Sequence, residues 1–177
     1  MTVMAGSLEY ERLMAAARDP ADIATLAFGG VLVRFEIQGL DASALTRLFR
    51  RYFPGTQHPA DRGVACTALS AEEFEDLLAL LRAHRRDDSE ETEWLARAMA
   101  SACAGENHLW EDMGLPNRDA LSQLIRRYFT TLFYRNTGNL KWKKFFYKQL
   151  CERAEVRLCK APSCGVCSDY ALCFGPE

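Results

Sequence analysis

The chain predicts an all-α fold: a single helical domain that ends in an irregular, cysteine-rich loop. Apolar residues recur at i, i+3, i+4, i+7 in three separate windows: Leu45, Leu48, Phe49 and Tyr52; Phe74, Leu77, Leu78 and Leu81; Leu121, Leu124, Ile125 and Tyr128. Residues that cap helix N-termini stand just ahead of these windows, and turn residues close them. The period changes character only in the last nineteen residues, where four of the chain's seven cysteines are concentrated.

In chain order, the first debatable segment is Ile23 to Gln38. Val31, Val33, Phe35 and Ile37 alternate with Leu32, Arg34, Glu36 and Gln38 in a strand-like way, while Ile23, Leu26, Ala27 and Val31 form a helical stripe. A lone strand would lack a partner, so the segment is read as helix. Asp41 is placed as the N-cap of the next helix, and Pro54-Gly55 as its exit. Ser70 with Glu73 matches a capping box, Ser89 precedes the acidic turn Glu90-Glu91, and Gly105 ends that helix. Asn117 caps the Leu121 window, and Gly138 marks an exit before the helix from Leu140 to Glu152. That last helix carries Trp142, Phe145, Phe146 and Leu150 on one face and Lys141, Lys144, Lys148 and Glu152 on another. There is also an internal echo: Gly39-Leu40 and the run Ala44 to Phe53 resemble Gly114-Leu115 and the run Ala120 to Phe129. The organisation is therefore a helical domain over residues 1–153 and a cysteine-rich tail over 154–177.

The tail reads Cys159, Cys164, Cys167, Cys173, a C-x4-C-x2-C-x5-C array closing on Phe174-Gly175-Pro176. Such an array can staple a small secreted domain, bind zinc or hold an iron–sulfur cluster. The first three cysteines have the C-x4-C-x2-C spacing of plant-type ferredoxins, although the fourth follows only five residues later. Pro162, Ser163 and Gly165 supply a turn-prone wrap. Structural zinc usually takes two ligand pairs across a longer spacer, whereas this array has one C-x2-C. A compact zinc loop remains open on spacing alone. Cys66, Cys103 and Cys151 lie outside the array; Cys66 reads as a small core residue, whereas Cys103, five residues before His108, and Cys151, just ahead of the array, are further candidates for metal.

The N-terminus lacks a basic start followed by an apolar stretch, and the longest apolar run is too short and interrupted to span a bilayer. The expected compartment is the cytoplasm, where thiols stay reduced and a dense cysteine cluster points to metal rather than disulfides. No phosphate-binding glycine loop, nucleophile elbow or paired metal-ligating histidines occur, so the chain is expected not to be an enzyme of those classes. Charge is uneven: Asp61 to Asp112 holds thirteen acidic and five basic residues, and Met113 to Lys160 eleven basic and three acidic. The acidic half reads as a solvated face, and the sequence pI of about 6.0 argues against a nucleic-acid partner.

Two stretches carry a resemblance to a known family. Lys141 to Glu152, followed by Cys159 to Cys164, Cys167 and Cys173 to Glu177, resembles the C-terminal signature of the NifQ family, as does His108 to Leu115. The match is specific over residues 103 to 177 and only general upstream. The resemblance implies a nitrogen-fixation accessory protein, a metallochaperone rather than an enzyme. It would carry a [4Fe-4S]-type cluster, incorporate molybdenum and donate it as a Mo–Fe–S cluster for biosynthesis of the nitrogenase iron–molybdenum cofactor. Cys159, Cys164, Cys167 and Cys173 match the family's cluster motif position for position. Molybdate or another molybdenum source, the cofactor scaffold complex and the nitrogenase iron protein are the implied partners, with neither nucleic acid nor membrane among them. His108 is the best non-cysteine ligand candidate, with Asp112 four residues on expected to orient it. The lysines of the last helix are expected either to face solvent or to attract molybdate or an acidic partner. The competing readings are a zinc-binding interaction module built on the basic, aromatic helix and a redox or radical enzyme using a standard cluster, which no second cofactor motif supports.

Overall fold

A computed structural model describes residues 2–56, 69–153 and 171 of the chain. The described residues form nine helices: α1 Thr2–Ala15, α2 Ile23–Arg34, α3 Ala42–Tyr52, α4 Ala71–Ala83, α5 Glu90–Ala102, α6 Leu109–Asp112, α7 Arg118–Tyr128, α8 Thr130–Arg135 and α9 Trp142–Arg153. No strand occurs among them, so the all-α expectation holds, and none is long and apolar enough to cross a membrane. The expected caps are in place. Asp41, Ser70, Ser89 and Asn117 accept the backbone N–H groups of Ala44, Glu73, Thr92 and Ala120 at 2.7, 3.2, 3.3 and 2.9 Å. Asp22, not singled out in the sequence, does the same for Thr25 at 3.0 Å.

The ambiguous segment is helical to Arg34 and extended only from Phe35. Its apolar run lies at the centre of the molecule, where α2 packs on α1, α5, α6 and α7. Ala24, Ala27, Phe28 and Val31 have no exposed surface. A helix buried on all sides loses its polar face, which explains why its periodicity resembled a buried strand. Gly30 makes this burial feasible, because a Cβ there would overlap the carbonyl oxygen of Met113. Gly114, on the other side of the contact, adopts φ +67, a region that disfavours side chains.

The internal echo is structural. Gly39 and Gly114 share positive φ (+73 and +67), and α3 and α7 end on Phe53 and Phe129 in nearly the same conformation (φ, ψ −127, 57 and −133, 53). The carbonyl of Tyr52 accepts the Arg18 N–H at 2.9 Å, and that of Tyr128 accepts the Arg86 N–H at 2.8 Å. Two three-helix units, α1–α2–α3 and α4–α5–α7, thus share a plan. They also exchange contacts: Arg51 of α3 pairs with Glu91 of α5, and Arg127 of α7 with Asp22 at the start of α2. The tyrosines meet on one group. Both hydroxyls donate to Glu91 Oε1, Tyr52 at 2.5 Å and Tyr128 at 2.8 Å. Burial, and then hydrogen bonding to that carboxylate, push both phenols up in pKa. The second unit adds α6 within it and α8 and α9 after it.

Replacing Glu91 by alanine strands two buried phenols, at about 1–3 kcal/mol each, so a loss of about 2–4 kcal/mol is expected in urea denaturation. Glu90→Ala removes only an exposed pair with Arg47 and is expected to cost no more than about 1 kcal/mol. Equal losses for the two variants would contradict the central role of Glu91.

Candidate functional site

The basic, aromatic α9 is the helix that precedes the cysteine array in sequence. Trp142, Phe145 and Phe146 are buried as expected, and Leu150 packs against the same core from its edge. The Trp142 ring stacks on Phe133 with centroids 6.2 Å apart and meets Phe145 edge-on at 5.8 Å, and its indole N–H donates to Ser122 Oγ at 3.1 Å. On the flank facing α4, the Tyr147 hydroxyl donates to Glu73 Oε1 at 2.5 Å. That contact draws the Glu73 carboxylate into tertiary structure, although its backbone N–H still serves the Ser70 cap.

Lys143 provides the deepest anchor. Its ammonium donates to Asp112 Oδ2 at 2.5 Å and to the Gly105 carbonyl at 2.7 Å, while Asn107 Nδ2 donates to Asp112 Oδ1 at 3.0 Å. The Asp112 side chain is 3% exposed and that of Lys143 18%. A carboxylate so far from water requires partners on both oxygens, and it has them. Gly105 is required by closeness, since a Cβ there would overlap the Asp112 carboxylate. The Asp112 carboxylate bonds to Asn107 and to Lys143, which arrives from α9 to neutralise it.

His108 immediately precedes α6 and is half-buried; its backbone N–H donates to Glu111 Oε2 at 3.1 Å and its carbonyl accepts from the Asp112 N–H at 3.0 Å. It borders a cavity of about 200 Å³ whose buried lining is Leu109, Leu121 and Trp142. The polar lining consists of Asn107, His108, Lys141, Lys143 and Lys144. Cys103 sits in the core, where burial pushes its thiol up to about 12; the nearby Lys143 ammonium lowers it, and Asp112 and Glu73 raise it further. Cys151 is half-buried in the last turn of α9. Cys66 and the four array residues Cys159, Cys164, Cys167 and Cys173 lie outside the described residues. Among the described residues no group of three or more His, Cys, Asp or Glu side chains is arranged to hold a metal ion. Sequence reasoning missed Lys143 and Asn107 and read Gly105 only as a helix exit; no local pattern separates Lys143 from its neighbouring lysines, because its partner is 31 residues away.

Comparison with known proteins decides the family. Residues 21–175 match the family model described as NifQ, a span that includes both His108 and the whole cysteine array. The chain belongs to the NifQ family. It is similar to Protein NifQ of Azotobacter vinelandii, with 38% identity over 151 residues that cover 78% of this chain and 77% of the relative. Protein NifQ of Rhodobacter capsulatus is 36% identical over 149 residues, covering 84% and 80% of the two chains. Protein NifQ of Klebsiella pneumoniae is 40% identical over 82 residues, covering 45% and 48%. No solved structure matches the chain.

Two outcomes are expected for this NifQ-family chain. Lys143→Ala leaves a buried carboxylate without its counter-ion and should cost about 3–5 kcal/mol in thermal or urea unfolding, whereas the exposed Lys144→Ala should stay within about 0.5 kcal/mol; matching stabilities would rule out the anchor. His84, whose Nδ1 meets Thr131 Oγ1 at 2.8 Å, is depressed in pKa by burial and then by Arg135 and Arg153. The unfolded chain therefore takes up its proton first, so stability is full above the unfolded value of about 6.5 and falls as pH drops through the lower folded value. Removing the imidazole in His84→Asn should flatten that part of the stability curve, and an unchanged slope would exclude His84 as its source.

Proposed function

We propose that this chain, a member of a family involved in nitrogenase molybdenum processing, carries molybdenum as a Mo–Fe–S cluster and donates it for assembly of the iron–molybdenum cofactor. The observation that carries the reading is that the family match runs through the complete C-x4-C-x2-C-x5-C array. In this reading Cys159, Cys164, Cys167 and Cys173 supply thiolates to the iron corners of a [4Fe-4S]-type cluster, which is cargo rather than a catalytic group. The role is that of a cytoplasmic carrier and donor, not an enzyme. The recipients are the cofactor scaffold complex and the nitrogenase iron protein, and molybdate or another molybdenum source is the input.

The chemistry supports such a role in two ways. A donor must hold its cargo where a partner can reach it, and the turn-forming Pro162, Ser163 and Gly165 between the array cysteines suit such a mount. The segment leading to it must nevertheless be fixed, and α9 is anchored by the buried Lys143–Asp112 pair and the Trp142 contacts. Cys151, half-buried at the end of α9, is the non-array cysteine better placed to assist; Cys103 is enclosed by the core, and a thiolate there is opposed by burial.

Anaerobic purification from cells supplied with iron and molybdate, followed by iron, molybdenum, zinc and acid-labile sulfide analysis, tests the reading. Iron, sulfide and molybdenum are expected together, and all should be lost in the Cys164→Ala/Cys167→Ala double variant. Cys103→Ala is expected to retain them. Zinc without sulfide would replace the donor reading with the zinc-binding interaction module. A His108→Ala protein with unchanged molybdenum content and transfer would remove His108 from the metal path.

A further inference from the structure

We propose that the cavity beside His108 is a binding site for a tetrahedral oxyanion carrying two negative charges, separate from the cysteine array. Three parts of the chain build it: the loop ahead of α6, the start of α9, and α7 through Leu121. Its volume of about 200 Å³ corresponds to several water molecules at roughly 30 Å³ each, enough for one small oxyanion with residual hydration.

Charge selects the ligand class. Among the described residues the lining contains lysines and a histidine but no carboxylate. Lys143 is already neutralised by Asp112 and contributes mainly its aliphatic stem. Lys141 and Lys144 have no ion-pair partner among the described residues, so two positive charges remain for the occupant. They stand three positions apart on the same turn, and both can turn towards the same ligand. The apolar floor of Leu109, Leu121 and Trp142 lowers the local dielectric and strengthens their attraction for a dianion relative to open surface. The positive end of the twelve-residue α9 adds to the same potential. Lys148, on the same basic face, differs: it stands 3.9 Å from Glu152 and borders another cavity that Glu152 also lines. The basic face is thus divided, with its anion-selective part confined to the first turn.

The inference rests on the proposed function only in taking molybdate as the first probe; sulfate and phosphate share its shape and charge. Equilibrium dialysis of the full chain against molybdate at low ionic strength, read by elemental analysis, tests it. Lys141→Gln/Lys144→Gln is expected to weaken binding by about tenfold or more, a loss equivalent to about 1.4 kcal/mol, while Lys148→Gln should stay within about twofold. Cys164→Ala/Cys167→Ala should bind molybdate as the parent chain does. Retained lysine-dependent binding in a protein that never holds iron or sulfide would support this site while sinking the donor reading. Competition by sulfate and phosphate at similar concentrations would assign the cavity to tetrahedral dianions generally, and their failure to compete would restrict it to the larger molybdate-like ions; both support the site. Molybdate binding that survives the lysine substitutions, or that disappears only with the cysteines, would overturn it.

Discussion

The buried carboxylate of Asp112 is the constraint on which the functional half of the molecule depends. An ionised group with 3% of its side chain exposed must be neutralised, and Lys143 of α9 is the counter-ion. That requirement helps to place α9, the helix that precedes the cysteine array in sequence. It also forces Gly105, since the loop backbone must approach the carboxylate more closely than any side chain would permit. Meeting the demands of one carboxylate therefore brings together the loop before α6, α6 itself and the start of α9. His108 and the first-turn lysines share a cavity as a consequence.

The rest of the body solves a different problem, that of joining two similar three-helix units. Each presents a tyrosine at the end of its third helix, and a single carboxylate, Glu91, accepts from both. Because Glu91 belongs to the second unit and Tyr52 to the first, the arrangement holds only when the units are docked. Gly30 and Gly114 allow backbone contact at the same junction. The repeat supplies a framework, and α6, α8 and α9 are additions to the second unit.

The uneven charge along the chain is resolved by the fold. Acidic residues of α5 are met by arginines from neighbouring elements, Glu90 by Arg47, Glu91 by Arg51 and Glu93 by Arg82, and Arg97 of α5 itself adds a second pair to Glu93. The acidic first turn of α5 is thus neutralised at close range. The lysines at the start of α9 are treated differently, because among the described residues Lys143 alone receives a carboxylate. A linear count of charges does not distinguish a paired lysine from an unpaired one, whereas their effects on an approaching anion are opposite.

Several features were determined by the sequence alone, because their causes act over a few residues. Helix period, the caps at Asp41, Ser70, Ser89 and Asn117, and the apolar face of α9 follow from contacts within one or two turns. The spacing of Cys159, Cys164, Cys167 and Cys173 is likewise local, and it carried the family resemblance that the comparison bore out. The centre of the molecule was only half legible, since burying α2 on every side removed the polar stripe that would have marked it as a helix. Tertiary structure alone decided the partners of Asp112, Glu73 and Glu91 and the separation of Lys141 and Lys144 from Lys148. Lys143 for Asp112, Tyr147 for Glu73, and Tyr128, Tyr52 and Arg51 for Glu91 lie 31, 74 and 37 to 40 residues away in sequence. Charge neutralisation in a buried site depends on distance in space, which no local pattern of residues encodes.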